Sequence, residues 1–82
     1  MIRIETKTKL TPEAAIKQAI KFFGPGGLGL KVMDQSPDSA RFEGGGGSVA
    51  ISACAAEKKT SVELVSQEWE YQVKEFIGQI AG

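Results

Sequence analysis

The sequence predicts an α+β domain with the element order β-α-β-β-β-β-α, built as one curved antiparallel five-stranded sheet with two helices on one face. Three observations support this prediction. Polar and apolar residues alternate over residues 2–10, two stretches place apolar residues at helical spacing, and turn residues divide the chain between them into short alternating runs. Stacking both apolar helix stripes on one face of the sheet buries all of this surface. We therefore expect residues 1–82 to form a single domain.

The first strand is indicated by strict alternation, and the first helix by a start signal. One face of the strand holds Ile2, Ile4, Thr6, Thr8 and Leu10, and the other holds Arg3, Glu5, Lys7 and Lys9. The helix begins at Thr11-Pro12-Glu13, where a capping hydroxyl precedes a proline whose missing N–H is not needed at that position. It is expected to end at Gly24-Pro25.

Four short strands are predicted in the middle of the chain, at residues 28–34, 40–43, 49–55 and 60–65. The glycine run at 44–47 is interpreted as a hairpin connection with bulged or strongly bent ends, since neither flank could hold a core alone. A phosphate-binding loop needs a helix after its glycines, whereas a strand follows here.

Residues 66–80 carry the apolar stripe around which the rest of the chain is organised. The stripe consists of Trp69, Val73, Phe76, Ile77 and Ile80. Ser66 is expected to cap the first turn of this helix, with Glu68 and Glu70 near the positive end of its dipole. We expect Trp69 to be largely buried against the sheet.

The charges are balanced overall but are divided unevenly along the chain. Ten Lys and Arg residues stand against ten Asp and Glu residues; residues 1–31 hold six bases and two acids, and residues 32–82 hold four bases and eight acids. We expect the first strand to lie beside the last, so that Arg3, Lys7 or Lys9 lies near Glu63. Neither half is basic enough to indicate nucleic-acid binding.

The residue types needed for common catalytic and metal sites are scarce. The sequence has one cysteine, Cys54, and no histidine, which excludes an internal disulfide, the common zinc sites and imidazole chemistry. The carboxylates and hydroxyls are accounted for by turns, helix caps and solvated faces. We therefore expect no enzymatic activity, no cofactor and no metal. No apolar run spans a membrane and no signal peptide is evident, so we expect a cytoplasmic protein.

The order of these elements, with a long carboxy-terminal helix over the sheet, resembles the helix-grip or TATA-binding-protein-like topology, which includes the START-like lipid-carrier domains. The resemblance covers nearly the whole chain as an order of elements and involves no signature motif. It implies a sheet that grips the last helix. Larger START-like relatives hold apolar ligands between these two layers, and this chain is short for that purpose.

The function predicted from the sequence is association with a second copy, as a homodimer, or with a protein partner. One candidate contact is the open sheet face, whose outward residues are expected to be small and weakly charged: Met33, Ala50, Ser52, Cys54 and Val65. A second candidate is Tyr71, on the outer face of the last helix beside Gly78. Small residues are also tolerated on ordinary surfaces, and a register error of one residue would turn the fourth strand over.

An alternative function is that of a minimal carrier for a small apolar ligand between the last helix and the sheet. A carrier needs small inward residues or a convergent buried polar group, and the predicted inward positions show neither. The inward side chains suffice to fill the space at normal packing density.

Overall fold

The computed structural model describes residues 2–81 and confirms the predicted fold class and element order. The strands are β1 (Ile2–Thr8), β2 (Lys31–Ser36), β3 (Ser39–Gly44), β4 (Gly47–Ala55) and β5 (Thr60–Gln67), and the helices are α1 (Pro12–Phe23) and α2 (Glu70–Ile80). The strands pair antiparallel in the spatial order β1-β5-β4-β3-β2. The central strand is therefore β4, and β1 and β2 are the two edges.

The pairing of β1 with β5 confirms the expected contact between the basic and acidic parts of the chain. Arg3 lies opposite Val65, and Glu5 lies opposite Glu63. Arg3 reaches diagonally to Glu63, donating from Nη2 and Nε to Oε2 at 2.6 and 3.0 Å. Because both side chains point away from the helices, this contact belongs to the outer face of the sheet.

The core lies between the inner face of the sheet and the helices. α1 packs over β3 and β4, and α2 packs over β5 and β1. The ring of Phe23 from α1 lies with its centroid 5.3 Å from that of Phe76 in α2 and 5.6 Å from that of Phe42 in β3. Both helices thus share a single core, and within residues 2–81 neither of them covers the outer face of the sheet.

The two helices begin differently. α1 begins as predicted, since Thr11 Oγ1 accepts a hydrogen bond from the Ala14 N–H at 3.2 Å. The prediction that Ser66 caps the last helix is wrong, because Ser66 is a residue of β5, paired with Ile2 and Val49. The alternation of inward side chains in β5 continues through Ser66. Pairing with a strand on each side stabilises this position more than one capping hydrogen bond would. α2 begins at Glu70 and has no side-chain cap.

The burial of Ser66 leaves its hydroxyl without a partner. The residue is 1% exposed, and its Oγ makes no hydrogen bond with any residue described here. A buried hydroxyl in this state has lost its hydration without replacement, which destabilises the fold.

A bulge in β2 changes which residues of this edge strand face outward. Val32 pairs with Phe42, but the next pair is Asp34 with Arg41, so that Met33 has no partner. The extra residue reverses the alternation, and Asp34 takes a place on the outer face that simple alternation assigns to the inner face. The predicted second strand, residues 28–34, lies instead at Lys31–Ser36, because the N–H groups of Leu28 and Leu30 donate to carbonyl oxygens at the end of α1.

The glycine run forms the hairpin turn between β3 and β4, as predicted. Gly44 pairs with Gly47, and Gly45 and Gly46 have φ values of 60° and 82°, which favour glycine. The indole of Trp69 closes over this turn and donates from Nε1 to the Gly44 carbonyl oxygen at 2.9 Å. Trp69 is half-buried and precedes α2, so it packs against the hairpin at the margin of the core and is less buried than expected.

Candidate functional site

The candidate site is the outer face of the sheet, and the burial of alternate β4 residues determines its composition. Val49, Ile51 and Ala53 are buried against the helices. The intervening side chains therefore point to the opposite face: Ala50, Ser52 and Cys54. The prediction required Val49 and Ile51 to face inward, and they do. The small residues of β4 therefore lie in the middle of the outer face.

Cross-strand pairing arranges this face in rows. The Ala50 row contains, from the β2 edge to the β1 edge, Asp34, Arg41, Ala50, Val65 and Arg3. The Ser52 row contains Ser36, Ser39, Ser52, Glu63 and Glu5. The Cys54 row contains Cys54, Ser61 and Lys7. In the Ala50 row the small residue on β4 lies between longer side chains on both sides, whereas in the Ser52 row only the β5 and β1 side carries longer ones.

The short side chains of β4 create shallow concavities between these longer neighbours. One, of about 230 Å³, has Ala50, Val65 and Ser52 among its lining residues, with Arg41 and Asp34 on one side. A second, of about 410 Å³, extends from Ser52 to Cys54 and Ser61. The two share three lining residues: Ser39, Ser52 and Glu63. They form one continuous trough along β4.

Ion pairs are formed at one wall of this trough. Arg3 Nη2 lies 2.6 Å from Glu63 Oε2 and 3.7 Å from Glu5 Oε1. The hydrogen bond to Glu63, and then its negative charge, raise the pKa of the Arg3 guanidinium above its usual value. On the other wall Arg41 and Asp34 lie opposite each other in the register, and Asp34 Oδ1 accepts a hydrogen bond from the Gln35 N–H at 2.9 Å.

The structure brings four of the six predicted contact residues together: Ala50, Ser52, Cys54 and Val65. Met33 is the unpaired residue of the β2 bulge and is 43% exposed, away from the trough. Tyr71 is 74% exposed on α2, in the helical layer, and belongs to a different surface. A Cβ built on the neighbouring Gly78 meets nothing within 4 Å, so the notch predicted beside Tyr71 opens to solvent.

The sequence predicted the contact of Arg3 with Glu63 but did not assign either residue to the candidate site, and it missed the β2–β3 wall of the trough. Arg41 could have been found, because it has apolar inward neighbours on both sides along its strand and must therefore point outward. Asp34 could not have been found, since alternation without the bulge turns it inward.

The chemistry available on this face is hydrogen bonding, ion pairing and one exposed thiol. Cys54 is exposed, and its Sγ lies 3.7 Å from the Ala55 carbonyl oxygen. Within residues 2–81, no three His, Cys, Asp or Glu side chains are grouped so that they could hold a metal ion. None of the helices in this part of the chain is long and apolar enough to span a membrane.

Comparison of the chain with protein families, with curated proteins and with solved structures found no match. The helix-grip resemblance therefore stays a prediction.

Proposed function

We propose that this protein is a non-catalytic domain that acts by self-association, with two copies joined through the outer faces of their sheets. The observation that carries the proposal is that the outward side chains along the central strand, at Ala50, Ser52 and Cys54, are small. No element of the described chain covers them. Solvated sheet faces usually carry longer polar side chains at such central positions.

Small side chains on the central strand favour close approach of a second sheet. Two sheets pack face to face about 10 Å apart with their side chains interdigitated. Because Ala50 and Ser52 are short, no long side chain at the centre of the face holds a second sheet apart.

The balance of charge on the face also favours a second copy. Four basic and four acidic residues of the sheet point outward: Lys31, Arg41, Arg3 and Lys7, against Asp34, Glu43, Glu63 and Glu5. A face of one sign would repel its own copy and attract an oppositely charged polymer. With four charges of each sign, this face has no net repulsion to overcome.

The size of the face sets the expected strength of the dimer. Five strands spaced about 4.8 Å apart and about six residues long cover roughly 500 Å² per copy. Two such faces bury on the order of 1,000 Å², which is at the lower end of specific interfaces. A reversible dimer that forms at micromolar concentration is therefore expected. We place its action in the cytoplasm, where a single unpaired thiol stays reduced.

Multi-angle light scattering across a concentration series tests the proposal. The wild type is expected to reach twice the mass of the chain at high micromolar concentration. Ser52→Lys should shift the equilibrium to the monomer, because it places two like charges and two long side chains at the contact. Gln18→Lys is the matched control, since it adds the same charge on the exposed side of α1.

A monomeric wild type at high micromolar concentration would refute self-association. A dimer that Ser52→Lys leaves intact would exclude the sheet face. In that case Tyr71→Ser would show whether the exposed helix face, the second predicted contact, carries the association instead.

A further inference from the structure

We infer that the two copies are related by a two-fold axis that lies in the interface and runs along β4, an inference that rests on the proposed function above. Rotation about this axis keeps every residue in its row and exchanges the two sides of β4. The β2–β3 wall of one copy then faces the β5–β1 wall of the other. The order of residues within each row therefore determines which residues of the two copies face each other.

In the Ala50 row, this axis brings opposite charges together. Asp34 lies two strands from β4 on one side, and Arg3 lies two strands from it on the other. Asp34 of one copy therefore faces Arg3 of the second copy, and symmetry forms this pair twice. Arg3 presents its guanidinium already oriented by Glu63, so little side-chain freedom remains to be lost.

The Ser52 row adds complementary polar contacts about the same axis. Ser39 and Glu63 lie one strand from β4 on opposite sides, so the hydroxyl of Ser39 faces the carboxylate of Glu63 in the second copy. Arg41 faces Val65 of the second copy and lies one strand from its Arg3 and about 7 Å along the strand from its Glu63, so it has one charged neighbour of each sign. Near the axis itself, Ala50 and Ser52 each meet their own copy with small side chains.

A two-fold axis running across the strands gives a less favourable result. If it passes through the Ala50 row, it sets Arg41 against Arg41, Arg3 against Arg3 and Asp34 against Asp34. If it is moved midway between the rows, Arg3 meets Glu5, but Arg41 and Asp34 face the serine hydroxyls of the neighbouring row and lack a charged partner. Like charges in contact disfavour an interface strongly. An axis midway between the Ala50 row and the row of Lys31, Glu43 and Ser48 would set Arg41 against Glu43 and Asp34 against Lys31, but it would overlap only the end rows of the two sheets. The axis along β4 overlaps the whole faces and gives both Asp34 and Arg3 a partner of opposite charge.

The single cysteine of the wild-type chain distinguishes the two axes directly. With the axis along β4, Cys54 faces Cys54 of the second copy across a sheet separation of about 10 Å. With an axis across the strands at Ala50, the two thiols lie on the order of 27 Å apart, since each is four residues from the axis. In the first arrangement both side chains project into the gap between the sheets, so the two sulfur atoms lie within about 10 Å of each other, and a bismaleimide with a span of about 8–10 Å joins only this arrangement.

Cross-linking of the wild type at and below the dimerisation concentration is the first test. We expect covalent dimer to form in most of the protein at high micromolar concentration, to fall on dilution in step with the light-scattering mass, and to be absent in Cys54→Ser. A dimer by light scattering that does not cross-link through Cys54 would overturn the axis and leave self-association standing.

Charge reversal with mixing is the second test. Asp34→Lys and Arg3→Glu should each raise the dissociation constant about tenfold or more, because two favourable pairs become repulsive. In a mixture of the two variants, the introduced lysine faces the introduced glutamate at one contact, and the native Arg3 faces the native Asp34 at the other. A heterodimer should therefore recover near wild-type affinity. Lys21→Glu, an equal reversal on the exposed side of α1, should change nothing.

If Asp34 or Arg3 only stabilised the fold of its own chain, mixing the two variants would not restore the affinity of the dimer. Circular dichroism of each variant verifies that it is folded. If the folded variants weaken the dimer but do not recover on mixing, Asp34 and Arg3 do not face each other and the axis along β4 is wrong. If the wild type itself is a monomer, the proposed function fails before the axis is tested.

Discussion

Gly45 and Gly46 are a matched pair for measuring how tightly the β3–β4 turn is held by Trp69. Both have positive φ, 60° and 82°, so alanine at either position adopts an unfavourable left-handed backbone. A Cβ at Gly45 would lie 2.8 Å from Cζ2 of the Trp69 indole, whereas a Cβ at Gly46 meets nothing within 4 Å. The two substitutions therefore share the backbone effect and differ in one steric contact.

The magnitudes follow from these two terms. The left-handed backbone should lower the free energy of unfolding by about 1–2 kcal/mol in Gly46→Ala. Gly45→Ala adds the cost of moving a rigid ring that is tied to the Gly44 carbonyl oxygen by a 2.9 Å hydrogen bond. Overpacking of this kind costs about 1–3 kcal/mol more. A chain of 82 residues has a total stability of roughly 4–12 kcal/mol, so the difference is large enough to measure.

Urea denaturation followed by far-ultraviolet circular dichroism is the assay, applied to the wild type and to Trp69→Phe. The phenyl ring does not extend to the position of Cζ2, so in this background the two alanine variants should become equal. Trp69→Phe alone should lose about 1 kcal/mol with the indole hydrogen bond. Equal losses in the wild-type background, or a difference that persists in Trp69→Phe, would show that the ring does not fasten the turn.

Substitutions at two further positions test the structure elsewhere. Ser66→Ala removes a buried hydroxyl with no partner in the described chain and should raise the free energy of unfolding by about 1 kcal/mol; a decrease in urea denaturation would mean that the hydroxyl is hydrogen-bonded. Thr11→Ala removes the cap of α1 and should lower it by about 1 kcal/mol, whereas Thr11→Ser should retain most of the stability. Equal loss in both Thr11 variants would assign the effect to packing of the threonine methyl group.

The alternation of apolar residues was the main signal for the strands, because β3, β4 and β5 each bury one face and β1 partly buries one. The same alternation placed Arg3 on the outer face, and its contact with Glu63 followed once β1 lay beside β5. The start of α2 was mispredicted because Ser66 satisfies two patterns, a helix cap and an inward strand position. Tertiary pairing with Ile2 and Val49 decides between them, and local sequence does not contain that information.

The candidate site was only partly predictable for a related reason. Its small residues could be predicted from the alternation along β4. Because Val49 and Ile51 are buried, the residues between and beyond them face outward. Its β2 wall depends on a bulge at Met33, and no glycine or proline at this position indicates the bulge in the sequence. A single inserted residue in an edge strand changes the outward set, and only the pairing register reveals it.

The central position of β4 makes its composition informative about function. Alanine and serine are poor strand formers, and β4 is paired on both sides along most of its length, where β-branched or aromatic outward residues would stabilise the sheet more. The fold gains nothing from Ala50 and Ser52 on the outer face, since the core is complete on the inner one. Positions that break a local preference without benefit to the fold are those at which function is expected. The small side chains are explained if a second sheet lies against them, and the charged walls on either side then determine how that sheet is oriented.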